Sequence, residues 1–189
     1  MSPSFPCGWA GGKNSAPPES QEERDPSRDT RSGEKTVSLR NDYARQEAEL
    51  DELYKEIILD HYRNPRHRGS LTAPSATHEG LNPLCGDEVT VELLVDGGRI
   101  TDVAYKGSGC SISQSSASMM TDAIYGKPLD EVKRLSESFT AMMRGDEGID
   151  PESLGDLEAL SGVRKFPVRV KCATLAWHTL EEALEEAAT

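Results

Sequence analysis

The order of apolar and polar residues divides the chain into one helical segment, a short stretch of strands and then further helices. Apolar side chains recur at helical spacing from Glu47 to Arg63, and the following Asn64-Pro65 pair is typical of a helix end. Apolar and polar residues alternate over Glu88–Val95, and a second strand is predicted over Arg99–Lys106. Because a glycine-rich turn joins the two segments, the pattern predicts a β-hairpin.

The other predicted elements place a small sheet beside several helices. A third strand near Thr77–Leu81 is only weakly indicated, and helical periodicity dominates the chain after the hairpin. The sequence therefore predicts an α+β fold, in which a short antiparallel sheet has helices packed on one face. The predicted helices after the hairpin are Ser111–Tyr125, Pro128–Met143, a short one from Asp150 to Leu160, and Lys171–Ala188.

Residues 1–47 differ in composition from the rest of the chain. Strongly apolar residues are rare there, and proline, serine, glycine and charged residues of both signs fill the segment. Such a segment buries too little apolar surface to offset the entropy that it would lose on ordering. We therefore expect a disordered extension over residues 1–47 and one domain over residues 48–189, a usual domain size.

The formal net charge of −12 lies almost entirely in residues 48–189, because residues 1–47 contain eight acidic and seven basic side chains. An acidic domain without a Lys/Arg-rich run repels phosphate backbones, so nucleic-acid binding is not expected. No apolar run is long enough to span a membrane, and the first residues have the pattern of neither a secretory signal nor an acid-poor transit peptide. We expect a cytoplasmic protein, whose cysteines stay reduced and available as ligands or reactive thiols.

Three cysteines stand at the ends of predicted elements. Cys85 lies in the loop before the first hairpin strand, Cys110 comes between the second strand and the next helix, and Cys172 opens the last predicted helix. The dipole and the free N–H groups of a helix N-terminus stabilise a thiolate. Glycines beside Cys85 and Cys110 let the backbone pass close to a bound ion. The three thiols are therefore candidate metal ligands.

Asp87, two residues after Cys85, adds an oxygen ligand to the three sulfurs. Zn²⁺ accepts cysteine sulfur and aspartate oxygen in a tetrahedral site. A borderline-soft ion prefers sulfur, so the carboxylate predicts a labile site, from which one thiolate can leave to react or a cluster can be handed on. The spacing alone leaves another interpretation open, because a cysteine is commonly a small buried residue and the sequence contains no Cys-x-x-Cys pair.

Six short motifs lie in order between Leu53 and Leu184. They are Leu53-Tyr54, Asp60-His61-Tyr62, Asn64-Pro65, Asn82–Asp87, Gly109–Ser113 and Lys171–Leu175. Together they resemble the NifU/IscU-like family of iron–sulfur cluster assembly proteins over nearly the whole predicted domain. The resemblance implies one metal site shared by Cys85, Asp87, Cys110 and Cys172.

Within that family the chain is similar to the SufU branch rather than to the IscU scaffold branch. Lys171 precedes the third cysteine, where the scaffold type has a histidine that can join the metal site. The stretch between Cys110 and Cys172 is long, as is typical of SufU. The scaffold type carries a Pro-Pro-Val-Lys sequence that a dedicated Hsp70 chaperone recognises, and this chain has Phe166-Pro167-Val168-Arg169 at that place.

The resemblance implies a zinc-bound sulfur acceptor that serves a cysteine desulfurase of the SufS type, with other Suf assembly proteins as further partners. Cys85 would take the persulfide sulfur, and the other three ligands would retain the zinc. Arg169, three residues before Cys172, would steer an anionic persulfide or contact the partner. Any sulfurtransferase activity would require the desulfurase.

Two other functions remain possible from the sequence. The main alternative is a scaffold that assembles a transient iron–sulfur cluster on the same cysteine and aspartate ligands, because thiolates suit both metals. A structural zinc module without sulfur chemistry is the third interpretation. A zinc hydrolase is disfavoured, since it needs an open coordination position and a nearby general base, and Asp87 serves better as a ligand.

Overall fold

The computed structural model describes residues 51–150 and 153–187, and its sheet has three antiparallel strands in the order β1-β2-β3. The first hairpin joins β1 and β2, and the second joins β2 and β3. Both strands of the predicted hairpin are confirmed, and the weakly indicated third strand is present at the edge of the sheet. The strands are β1 (Ala76–Asn82), β2 (Asp87–Asp96) and β3 (Arg99–Ser108).

The two faces of the sheet have different environments. Val91 lies opposite Tyr105 and Leu93 opposite Val103, and all four side chains are buried in the core. The other face carries the buried carboxylate of Glu92, which accepts hydrogen bonds from Lys106 Nζ at 2.9 Å and from the backbone N–H of Leu71 at 2.6 Å. The loop before β1 therefore covers part of the outer face. The alternation of the sequence explains the apolar face.

Helices cover the apolar face of the sheet, as the predicted α+β fold requires. Residues 51–63 are helical and form the described part of α1. Helix α2 packs against β3, and α4 packs across β1 and β2. Rings from α3 and α4 stack in the core, with 4.4 Å between the centroids of Phe139 and Trp177. The other helices are α2 (Ser111–Ile124), α3 (Leu129–Arg144), a 3₁₀ helix (Gly155–Lys165) and α4 (Pro167–Ala187).

Serines in α2 connect the helical layer. The hydroxyl of Ser115 donates to the carbonyl of Ile58 in α1, and that of Ser116 donates to the carbonyl of Ala173 in α4, both at 2.6 Å. Both side chains therefore bond to neighbouring helices rather than to the sheet. Small hydroxyl side chains let three helix backbones approach closely while their own polar atoms stay paired.

The last helix begins earlier than the sequence predicts. Helix α4 starts at Pro167 rather than at Lys171, because proline is favourable at the first helical position, where its missing N–H costs no hydrogen bond. The short helix predicted from Asp150 to Leu160 is instead a 3₁₀ helix over Gly155–Lys165. The predicted extension over residues 1–47 and its boundary lie outside the described residues. Across the described ranges, no helix is long and apolar enough to cross a membrane.

Candidate metal centre

The loop of the first hairpin positions Cys85 and Asp87. Asn82 ends β1 and pairs with Asp87, which begins β2. The N–H groups of Cys85 and Gly86 both donate to the carbonyl of Asn82, at 3.4 and 2.8 Å. Gly86 has φ 73°, a left-handed conformation that glycine adopts without the cost of a Cβ contact. The turn leaves Cys85 exposed and buries Asp87, which is 3% exposed.

Cys110 caps the N-terminus of α2, as the sequence predicts. Its Sγ accepts a hydrogen bond from the N–H of Ser113 at 3.4 Å, and its own N–H donates to Asp87 Oδ1 at 3.0 Å. A Cβ on the preceding residue, Gly109, would lie 2.8 Å from both Cγ and Oδ1 of Asp87. Glycine is therefore required where the connection from β3 to α2 passes the carboxylate.

Cys172 lies in the second turn of α4 and not at the opening of the helix, so that prediction was wrong. The error follows from the early start of α4 at Pro167. The effect of a helix dipole falls off within the first turn, so it acts on Cys110 and not on Cys172. The Cys172 side chain is 4% exposed, and its Sγ lies 3.7 Å from Cys85 Sγ.

Three of the four predicted ligands offer atoms that converge. One sulfur each from Cys85 and Cys172 and one carboxylate oxygen of Asp87 lie within 4.8 Å of one another. Cys110 is not part of that compact group, although its backbone binds Asp87. Two Zn–S bonds of about 2.3 Å at a tetrahedral angle separate their sulfurs by about 3.8 Å. The distance between the Cys85 and Cys172 sulfurs therefore suits a shared zinc ion.

Residues 53–185 match the NifU-like N-terminal domain family. The chain belongs to this family. The NifU-like domain is 48% identical over 137 residues to the zinc-dependent sulfurtransferase SufU of Bacillus subtilis (strain 168), covering 72% of this chain and 92% of that protein. It is 42% identical over 141 residues to the iron–sulfur cluster assembly scaffold protein IscU of Streptococcus pyogenes serotype M1, covering 75% of this chain and 88% of that protein.

A solved structure has the same fold as the NifU-like domain. The N-terminal part of a nitrogen-fixing NifU-like protein from Brucella abortus superposes with a TM-score of 0.67 at 25% sequence identity, covering 73% of this chain and 96% of that one. The predicted family is thus confirmed, and the match to a SufU protein supports the SufU branch. The chain is an iron–sulfur cluster assembly protein of the NifU/IscU-like family.

A buried oxygen of the NifU-like domain indicates that the ligand set fits a cation. Asp87 Oδ2 is buried and accepts no hydrogen bond from a described N–H or O–H group, whereas Oδ1 accepts from the Cys110 N–H. A buried oxygen without a partner costs roughly 1–3 kcal/mol, and more when it is charged. A metal ion bound to Oδ2 would remove that cost, and the carboxylate and thiolates are ligands that zinc accepts. The residues therefore fit a zinc ion.

The surroundings of Asp87 and Cys172 shift the pKa values of these two groups in opposite directions. Burial alone would raise the pKa of Asp87, but the Cys85 thiol, the Cys110 N–H group and the other two thiols outweigh it and hold that pKa below its usual value. Burial, with the neighbouring Asp87 carboxylate and Cys85, raises the pKa of Cys172 far above its usual value. A raised pKa favours the protonated Cys172 thiol, so a cation that bound this sulfur would have to displace a proton.

Arg169 lies in the first turn of α4, one turn before Cys172, and is exposed. Its guanidinium lies over the Phe166 ring, 5.1 Å from the ring centroid. Within the part of the chain that the structure describes, no contact joins that guanidinium to the proposed ligands. The predicted role of Arg169 therefore remains a prediction.

Two residues of the centre were not assigned roles from the sequence. Asn82 is part of the Asn82–Asp87 motif, and Gly109 is one of the glycines beside the candidate cysteines. The sequence contained a clue to Asn82, because asparagine at the first position of a turn commonly accepts a hydrogen bond from a following N–H. It contained no clue that Gly109 would face the Asp87 carboxylate, since that approach joins the start of β2 to the connection between β3 and α2.

Proposed function

We propose that this protein is a zinc-bound sulfur acceptor, which takes persulfide sulfur from a cysteine desulfurase onto Cys85. Asp87, Cys110 and Cys172 retain the ion. The observation that carries the proposal is the contrast between an exposed Cys85 in a loop and a buried Cys172 only 3.7 Å away, beside a buried Asp87. Cys110 is also exposed, but it caps a helix, whereas Cys85 lies in a loop and is free to move toward a partner protein. Asp87 and Cys172 are buried and anchored in the fold.

The proposed transfer is a thiol exchange at sulfur. The Cys85 thiolate attacks the terminal sulfur of the desulfurase persulfide, the S–S bond of that persulfide breaks, and the desulfurase cysteine leaves as a thiolate. The product is a persulfide on Cys85, and no oxidant or reductant is consumed. A bound zinc ion would keep the cysteine ligands deprotonated at neutral pH and suppress their oxidation. Because Cys85 lies in a loop, it can move without disturbing a helix.

The partner and location belong to the same proposal. A cysteine desulfurase of the SufS type donates the sulfur, other Suf assembly proteins receive it, and the reaction takes place in the cytoplasm, where thiols stay reduced. Exposed apolar side chains of Leu84, Phe166 and Val168 lie on the two segments that carry Cys85 and Cys172, which suits a protein partner. Arg169, on the same exposed turn, contacts the partner or steers the anionic persulfide.

A scaffold function is the second candidate. The protein would assemble a transient iron–sulfur cluster on the same Cys85, Asp87, Cys110 and Cys172 ligands before handing it on. The named scaffold relative from Streptococcus pyogenes and the suitability of thiolates for iron support it. The absence of a histidine before Cys172, where Lys171 stands, favours the sulfur acceptor instead.

Metal analysis and mass spectrometry test the two functions. The freshly purified full chain should be colourless and hold one zinc ion, whereas a scaffold would be brown, with iron and acid-labile sulfide. After incubation with desulfurase and cysteine, the intact mass should increase by one sulfur, and the sulfur should map to Cys85. A persulfide that formed on Cys172 and not on Cys85 would contradict the proposed acceptor.

A further inference from the structure

Asn82 occupies the junction between the sheet and the Cys85 loop. It is the last residue of β1 and is 6% exposed. The four residues that follow it, 83–86, are all exposed, and Asp87 on the far side is buried again. The loop that carries Cys85 is therefore an open segment held between two buried residues of the sheet.

All N–H groups of this loop donate to Asn82. Proline has no N–H, so the loop has three donors after Pro83. The N–H of Leu84 donates to Asn82 Oδ1 at 3.2 Å, and those of Cys85 and Gly86 donate to the Asn82 carbonyl. The Cys85 thiol also approaches that carbonyl, with 4.0 Å between Sγ and O. One residue thus closes the turn with its main chain and its side chain.

We propose that Asn82 is a positioning residue, which holds Cys85 against Cys172 and sets how often the Cys85 thiol leaves the centre. The side-chain amide matters because an asparagine oxygen accepts from the N–H two residues later, a contact that alanine cannot make. The other N–H groups of the loop donate to the main-chain carbonyl of Asn82, and any residue at this position would provide that carbonyl. This role of Asn82 rests on the proposed function in one respect, which is that Cys85 is the thiol that reacts.

Site-specific alkylation of the metal-loaded full chain tests this role. Asn82→Ala should raise the rate of Cys85 alkylation by iodoacetamide about fivefold. One hydrogen bond has a net value of about 1 kcal/mol, and its loss should increase the population in which Cys85 has left the centre by that factor. The rate at buried Cys172 should stay that of the wild type. Peptide mass spectrometry separates the two cysteines, and release of metal to a chromogenic chelator should accelerate in parallel with alkylation of Cys85.

Two further variants separate positioning from general stability. Ser75→Ala is the matched control. Ser75 immediately precedes β1, at the opposite end of that strand from Cys85, and its hydroxyl accepts a hydrogen bond from the N–H of Val95 at 3.0 Å. It should lower the melting temperature about as much as Asn82→Ala and leave Cys85 alkylation unchanged. Asn82→Ser keeps an oxygen that can accept from the N–H of Leu84, so its alkylation rate should be closer to that of the wild type than to that of Asn82→Ala.

The proposal is overturned if Asn82→Ala alkylates at the wild-type rate, if it accelerates Cys85 and Cys172 equally, or if Asn82→Ser reacts as fast as Asn82→Ala. The assay contains neither desulfurase nor persulfide. Faster alkylation in a protein that never gains sulfur on Cys85 would therefore contradict the proposed function and leave the role of Asn82 standing. Normal sulfur transfer with unchanged alkylation would contradict the role of Asn82 alone.

Discussion

Gly109 lies so close to Asp87 that one added methyl group should weaken metal binding. The Cβ of Gly109→Ala would lie 2.8 Å from the carboxylate Cγ and Oδ1. Ordinary contacts between carbon atoms are about 3.5 Å or longer, so the carboxylate must move by about 0.7 Å. Ligand groups have to be held within about 0.5 Å of their productive geometry. The shift therefore exceeds what a metal centre tolerates.

We expect Gly109→Ala to lower zinc affinity by roughly 10- to 100-fold, the usual effect of losing a group that orients a metal ligand. A competition titration against a chromogenic chelator measures the change. Gly162→Ala is the matched control, because its added Cβ would meet nothing within 4 Å. It should bind zinc as the wild type does.

A double-mutant cycle identifies the cause of the effect. In an Asp87→Ala background the carboxylate is gone, so most of the loss of affinity caused by Gly109→Ala should disappear. Wild-type affinity in Gly109→Ala would refute the steric argument. An equal loss of affinity with and without the Asp87 carboxylate would show that alanine acts on some other part of the centre.

Three other predictions concern the ligands and a buried histidine. Chelation of the metal should lower the melting temperature markedly, because the ion joins separate loops and helices; an unchanged value in verified metal-free protein would contradict this. Cys85→Ala should fold and keep some zinc but gain no sulfur, whereas Cys172→Ala should lose zinc and stability, as metal analysis and thermal melts will measure. Burial, aided by Arg66, holds the pKa of His61 below its usual 6.5, so the unfolded chain takes up the proton first. The contribution of neutral His61 to the free energy of unfolding should be complete above about pH 6.5. It should be lost progressively as the pH falls from there to the folded-state pKa. His61→Gln should flatten this slope in pH-dependent denaturant titrations, and a slope equal to that of the wild type would contradict the role of His61.

The strands of the second hairpin were predictable because their cause is local. Alternating apolar residues in β2 match one buried face, and the glycine turn fixes the connection. Strand β1 was only weakly indicated, since its core-facing positions include Gly80 and His78, which carry little apolar signal. Its pairing with β2 makes it a strand.

The start of α4 and the position of Cys172 were not predictable in the same way. Pro167 reads as a helix breaker in a sequence, yet proline is also favourable at the first helical position. Local pattern does not choose between the two. The packing of α4 against β1 and β2 decides it, and this moves Cys172 from the helix opening into its second turn.

The sequence by itself determined the α+β class, the hairpin of β2 and β3, the capping position of Cys110 and the identity of the candidate ligands. These depend on periodicity and on motifs in which neighbouring residues act together. Only the tertiary structure decided which ligands meet and how they are held. Cys85 and Cys172 are 87 positions apart in the chain. Asp87 begins β2, whereas Gly109 lies between β3 and α2. The Asn82 contacts depend on the geometry of the closed turn. Such approaches are set by how helices and strands pack, and no local pattern of residues records them.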